Sequence, residues 1–182
     1  TFTIFVCSVF LNISFGVAEL TPVIFKYVRL PRTLACIFAG SGLAVSGAVI
    51  QNVLSNKLAS PGIIGVNAGA GFAVTVCCAC NMLSGWEIAG SAFAGAVVAV
   101  MLVVGVAHKM QASRTTVILG GVAINSFLNA GSETIITLLP DVGTVSGDFR
   151  VGGFAAVTTT RLLPAGVLIM IGLMVVLSMA NE

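Results

Sequence analysis

The sequence has very few charged side chains. Its 182 residues include 8 Lys and Arg, 6 Asp and Glu and a single His, so charged residues make up 8% of the chain. Water-soluble domains carry roughly 25% charged residues, because a surface facing water needs them. The formal net charge of +2 comes without a basic tract, so no nucleic-acid partner is expected. The shortage of charge excludes an ordinary water-soluble globule.

Groups for metal binding and catalysis are also scarce. The one histidine, His108, lies in a different segment from Cys77, Cys78 and Cys80, so no ligand set with zinc spacing appears. The glycine-rich stretch 65–71 lacks the Gly-Lys-Ser/Thr ending of a phosphate-binding loop. An intramembrane enzyme would need a nucleophile and base, or metal ligands, at one depth. We therefore expect no catalytic residues, no metal site and no cofactor in this chain.

Long apolar runs fill most of the sequence. Apolar residues make up 58% of the chain and the mean hydropathy is +1.13. A bilayer-spanning helix needs about 20 mostly apolar residues, and lipid cannot satisfy backbone amides, so such runs favour helices. Six runs meet or nearly meet this length: 1–18, 34–54, 62–83, 88–107, 117–139 and 162–180. They predict an all-α membrane protein, a polytopic transmembrane helix bundle with about six spanning helices in one domain, residues 1–182.

Small residues recur at four-residue steps within these runs. Gly40, Ala44 and Ala48 form one such series, and Ser91, Gly95 and Ala99 form another. Small residues on one face let helix backbones approach closely where lipid provides no hydrophobic driving force. The pattern predicts a tightly packed bundle.

The fifth run carries a polar stripe. Asn125, Asn129, Glu133 and Thr137 follow one another at four-residue steps, and Glu133 is the one charged residue well inside an apolar run. An ionisable group at such depth costs about 3 kcal/mol on insertion scales, so it must face protein or water. Three interpretations stay open: the stripe lines a translocation pathway, Glu133 relays protons, or the side chains form hydrogen bonds between helices.

Three blocks of sequence resemble a known family. Residues 29–35 read RLPRTLA, residues 40–51 read GSGLAVSGAVIQ, and residues 56–70 read NKLASPGIIGVNAGA. They are similar to the hallmarks of the FecCD-type or BtuC-like permeases of ABC importers, which carry iron-siderophores, haem or cobalamin. Residues 119–124 and 152–154 also resemble the family. Lys57 stands where a proline is usual, and Ile64 where a leucine is usual.

The resemblance implies a larger assembly. The family's permeases have about ten spanning helices of about 20 residues each, so this chain is expected to be their N-terminal part. Two permease subunits, alike or different, would form the pathway in a bacterial or archaeal cytoplasmic membrane. An extracytoplasmic binding protein would deliver the metal chelate, and two cytoplasmic ATPase subunits would supply energy. Which chelate is carried stays open.

The resemblance also suggests roles for particular residues. Arg29 and Arg32 would lie at the outer mouth and accept carboxylates of the binding protein; the alternative is that they anchor the helix at lipid headgroups. The stripe of Asn125, Asn129 and Glu133 would border the pathway. Thr115 and Thr116 would belong to a cytoplasmic gate, although threonines at a helix start are also ordinary caps.

Two other functions compete with an importer subunit. One is an ion-coupled secondary transporter that uses Glu133, and the other is an inert scaffold.

Overall fold

The computed structural model describes residues 7, 9, 21–57, 59–109, 114–153 and 157–179. Every regular element within those ranges is helical, which confirms the all-α prediction for this part of the chain. The elements are α1 (Pro22–Leu54), a 3₁₀ turn (Pro61–Ile64), α2 (Val66–Ala79), α3 (Gly85–Lys109), α4 (Arg114–Leu138), α5 (Pro140–Val151) and α6 (Thr159–Met179).

Within the described residues, three helices are long and apolar enough to cross a bilayer. They are α1, α3 and residues Leu162–Met179 of α6. Helix α2 is apolar but has only 14 residues, about 21 Å at 1.5 Å per residue. Helix α4 has 25 residues, yet its Asn, Glu and Thr side chains lower its hydropathy. The count of six spanning helices is therefore not confirmed, and the predicted span 1–18 lies outside the described residues apart from 7 and 9.

Helix α1 contains a π-helical segment at Phe25–Arg29. Two residues later, Pro31 has no N–H to give to the carbonyl of Tyr27, and its ring crowds that carbonyl. A wider π-turn accommodates such a residue within a continuous helix, and π-turns are frequent at functional sites. The arginines of the RLPR motif lie at the end of this segment and just after it.

The chain divides into two compact units, Thr1–Leu43 with Phe154–Glu182, and Ala44–Gly153. In the first unit, α6 packs against the first part of α1. A Cβ placed on Gly42 would lie 3.6 Å from Ile169, and one on Gly166 would lie 3.5 Å from the Phe38 ring. These are ordinary van der Waals distances, so neither glycine is required by space.

In the second unit, α2 packs against α3, α4 and α5. A Cβ on Gly69 of α2 would come within 2.5 Å of both the Gly95 carbonyl oxygen and the Ala99 Cβ of α3. The small-residue face at Gly95 and Ala99 thus packs where the four-residue spacing predicts a close helix contact.

Two apolar clusters hold this unit together. One contains Leu54, Ala59, Ile64 and Val103, and joins the end of α1 to the 3₁₀ turn and α3. The other contains Val74, Cys78 and Val142, and joins α2 to α5. Cys77 and Cys78 are both buried, as small apolar side chains would be.

Helix α5 lies between the predicted spans 117–139 and 162–180, where the sequence predicts no spanning helix. Pro140 is its first residue, Asp141 lies in its first turn, and Gly152 with φ of +72° directly follows it. These are regular helix start and stop signals, but they are obscured by two glycines within the helix. A Cβ on one of these, Gly143, would lie 2.8 Å from Ile136 of α4, so the two helices pack closely at their junction.

Candidate functional site

The polar stripe runs along an incompletely covered face of α4. Asn125 is half-buried, whereas Asn129, Glu133 and Thr137 are exposed. The opposite face is covered: Ser132 is 2% exposed, and a Cβ on Gly131 would meet the ring of Phe72 at 2.9 Å. The stripe therefore points away from the core of its own unit.

At one end the stripe begins beside the 3₁₀ turn. Gly121 of α4 is so close to the turn that a Cβ there would lie 3.0 Å from the Ile64 Cα and closer still to the Ile63 carbonyl oxygen. Gly65 ends the turn with φ of +82°, a conformation that favours glycine. Because the backbones touch, the position of α4 is fixed just before Asn125.

At the other end the stripe meets α5. The Arg150 guanidinium Nη2 donates to Glu133 Oε1 at 2.5 Å, which forms an ion pair between α4 and α5. The Glu133 side chain is 60% exposed and the Arg150 side chain 32% exposed. The carboxylate in the apolar run therefore has a counter-ion, while both side chains keep an accessible surface.

The hydroxyls on this side of α4 bond to their own helix. Ser126 donates to the Val122 carbonyl at 3.0 Å, Thr134 to that of Ala130 at 2.8 Å, and Thr137 to that of Glu133 at 2.8 Å. Such back-bonding satisfies the hydroxyl hydrogen within the helix. The groups best able to meet a passing solute are then the two asparagine amides and the ion pair.

The two predicted docking arginines differ in exposure. Arg29 is 8% exposed, and its backbone carbonyl accepts a hydrogen bond from Thr33 at 2.9 Å. Arg32 is half-buried. Lys26, one turn before Arg29, is exposed with its ammonium 5.7 Å from the centre of the Tyr27 ring. The accessible positive charge of this segment is therefore carried more by Lys26 and Arg32 than by Arg29.

The predicted gate residues lie in the first turn of α4, which begins at Arg114. Thr116 is exposed, and the Thr115 side chain lies outside the described part of the structure. The first member of the stripe, Asn125, lies more than two turns further along the helix.

A cavity of about 650 Å³ lies elsewhere, between α1, α3 and the start of α4. Nine of its lining residues are apolar, and His108 is the exception. It offers few groups to orient a polar ligand. Among the described residues, no three His, Cys, Asp or Glu side chains are grouped as a metal site would require.

One contact of the site was not predicted from the sequence. Arg150 lies between the predicted spans 117–139 and 162–180, and the sequence did not predict that it pairs with Glu133. Pro140 followed by Asp141 was the available signal, because both favour a helix start there.

The profile of the FecCD transport family matches residues 1–182. The chain belongs to the FecCD transport family. The resemblance inferred from the RLPR block and the two blocks after it is thereby confirmed.

Curated members of the family include similar chains. The ferric enterobactin transport system permease protein FepD of Escherichia coli is 43% identical over 117 residues, which is 63% of this chain and 35% of FepD. The iron(3+)-hydroxamate import system permease protein FhuG of Bacillus subtilis is 30% identical over 155 residues, 71% of this chain and 46% of FhuG. The chain thus spans less than half the length of these FecCD-family relatives.

The fold also matches a solved structure. A chain described as an inward-facing conformation of a metal-chelate type ABC transporter superposes with a TM-score of 0.82 at 24% identity. The match covers 97% of this chain and 59% of the other. It supports the permease fold of this FecCD-family chain.

Proposed function

We propose that this chain is part of the permease subunit of a binding-protein-dependent ABC importer for an iron(III)-siderophore or a related metal chelate, such as haem or cobalamin. The observation that carries the proposal is the family match over residues 1–182. Relatives named for ferric enterobactin and iron(3+)-hydroxamate support the substrate class.

The permease would work within a larger complex. A second permease subunit would complete the pathway, two cytoplasmic ATPase subunits would hydrolyse ATP, and an extracytoplasmic binding protein would deliver the chelate. The complex would lie in the cytoplasmic membrane, which fits the three helices in the described part of the chain that are long and apolar enough to cross a bilayer. The permease chain itself would hold no cofactor and break no bond in its cargo.

The polar stripe is the proposed pathway lining of this subunit. Asn125, Asn129 and Glu133 lie on a face of α4 that their own unit leaves open, which is what a pathway between two subunits requires. Arg29 and Arg32 would contribute to docking of the binding protein. Thr115 and Thr116 would belong to the gate at the opposite end of α4.

An ion-coupled transporter using Glu133 is not favoured. Glu133 is held in an ion pair with Arg150 of α5 and does not stand alone in the apolar run. Family membership also favours transport driven by a separate ATPase.

Uptake by cells tests the proposal. The gene for the full-length permease is deleted. Uptake of radiolabelled iron is then measured for ferric enterobactin, an iron(III)-hydroxamate and haem. Uptake of labelled cobalamin is measured in parallel. We expect loss of uptake for one chelate class, restored by the wild-type gene. The control is a strain that has the wild-type permease gene but whose partner ATPase cannot hydrolyse ATP. This strain should not take up the chelate. Unchanged uptake of every chelate in the deletion strain would count against the proposed function.

A further inference from the structure

The Glu133–Arg150 ion pair joins the stripe of α4 to α5, and its two ends are not equivalent. Glu133 belongs to the stripe and its side chain is 60% exposed. Arg150 lies in the last turn of α5, and its side chain is about half as accessible at 32%. The carboxylate is thus the more accessible end of the pair.

Helix α5 does not depend on this pair for its position. Val142 is buried against α2 in an apolar cluster, Ser146 has no exposed surface, and Gly143 packs on Ile136 of α4. An ion pair with this much exposure adds little to packing of that kind. The ion pair is therefore not what holds α5 in position.

The ion pair matters more for the net charge of the polar stripe than for the packing of α5. Without Arg150, the stripe would present an unpaired carboxylate between Asn129 and Thr137. Close like charges disfavour association, and unlike charges promote it. With Arg150 in place, the carboxylate is compensated and the stripe is polar without net charge.

We infer that Arg150 is a specificity-determining residue of the pathway: by pairing with Glu133, it allows negatively charged metal chelates to pass along α4. The inference rests on the proposed function, because it assumes that the stripe lines the pathway of a chelate importer. The inference assigns negatively charged chelates to the site as cargo, a class that an unpaired Glu133 would repel.

A double-mutant cycle on the full-length permease, with its ATPase and binding protein, tests the inference. Uptake is measured with ferric enterobactin, whose deprotonated catecholates leave the chelate negatively charged, and with an iron(III)-hydroxamate in which ligand charges balance the iron. We expect Arg150→Gln to lower the uptake rate of the charged chelate by about tenfold through like-charge repulsion. Glu133→Gln should keep or raise that rate, and the double variant should restore it to near the wild-type value.

Two comparisons separate this role from a structural one. Arg150→Lys keeps the charge and should keep most of the uptake. If the pair only fastened α5, Glu133→Gln and Arg150→Gln would lower uptake equally and the double variant would not recover, for either chelate; that result would overturn the inference. A permease that transports only the uncharged chelate would also overturn it, while leaving the proposed function intact. Absence of uptake of any chelate by the wild-type complex would overturn the proposed function itself.

Discussion

Gly69 of α2 and Gly95 of α3 approach each other so closely that neither can carry a side chain. A Cβ on Gly69 would come within 2.5 Å of the Gly95 carbonyl oxygen, and a Cβ on Gly95 would collide with the Gly69 carbonyl oxygen and with Ala73. Because backbone atoms cannot move aside as a flexible side chain can, the two helices must separate if either glycine is replaced.

Replacing Gly95 by Ala should therefore destabilise the α2–α3 pair. We expect a loss of about 1–3 kcal/mol in the free energy of unfolding, typical of overpacking. Gly105 lies on the same helix with nothing within 4 Å of its Cβ position, so Gly105→Ala is the matched control and should be neutral or slightly stabilising. Denaturant unfolding of the full-length protein in detergent measures both. Equal stability of the two variants would contradict the packing described for Gly95.

Neighbouring glycines of α4 provide a second matched pair. A Cβ on Gly121 would meet the backbone of Ile63 and Ile64 in the 3₁₀ turn, whereas one on Gly120 would have nothing within 4 Å. Gly121→Ala should cost about 1–3 kcal/mol of stability by displacing α4 from the turn, and Gly120→Ala should not. The melting temperatures of the two purified variants check this. A drop for Gly120→Ala of the same size would indicate a general effect of alanine in this helix.

The two arginines of the RLPR segment should respond differently to charge reversal. Arg29 is buried, so Arg29→Glu places a carboxylate in a site with little water and should lower stability by about 2 kcal/mol or more. Arg32 is half-buried, so Arg32→Glu should leave the melting temperature near wild type while weakening attachment of the binding protein.

Detergent-solubilised complexes and surface plasmon resonance with the purified binding protein measure this attachment. Lys57→Glu, in the loop between α1 and the 3₁₀ turn, is the control and should leave attachment unchanged. Normal attachment with Arg32→Glu would remove Arg32 from the docking surface.

The Glu133–Arg150 pair should matter little for stability. Its side chains are 60% and 32% exposed, and exposed ion pairs contribute about 0.2–1 kcal/mol. A double-mutant cycle of unfolding free energies for Glu133→Gln and Arg150→Gln should give a coupling energy in that range, smaller still at high salt. A coupling energy several times larger would mean that the pair fastens α5, and it would favour a structural role over one in cargo selection.

Sequence patterns predicted the helices with strong apolar runs and the close contact at Gly95, because both depend on local spacing. They did not predict α5. Its glycines lower the helix propensity, and among its described side chains only Val142 and Ser146 are buried. The segment is stabilised by packing on α2 and α4, which no local pattern encodes.

The site was predictable in part for the same reason. The spacing of Asn129 and Glu133 places them on one face of a helix, but it does not say what faces them. Arg150 is 17 residues from Glu133 in sequence, and the two meet because the chain turns at Leu139 and α5 packs back on α4. The burial of Arg29 could not be predicted either, because an RLPR motif is compatible with an exposed or a buried arginine.

Transport by the reconstituted complex tests the central claim most directly. The full-length permease, its ATPase and its binding protein are assembled in proteoliposomes, and uptake of the chelate identified in cells is timed. The account predicts uptake that requires both ATP and the binding protein and that does not change when a proton or sodium gradient is collapsed. Uptake that proceeds without ATP and follows an imposed ion gradient would contradict it.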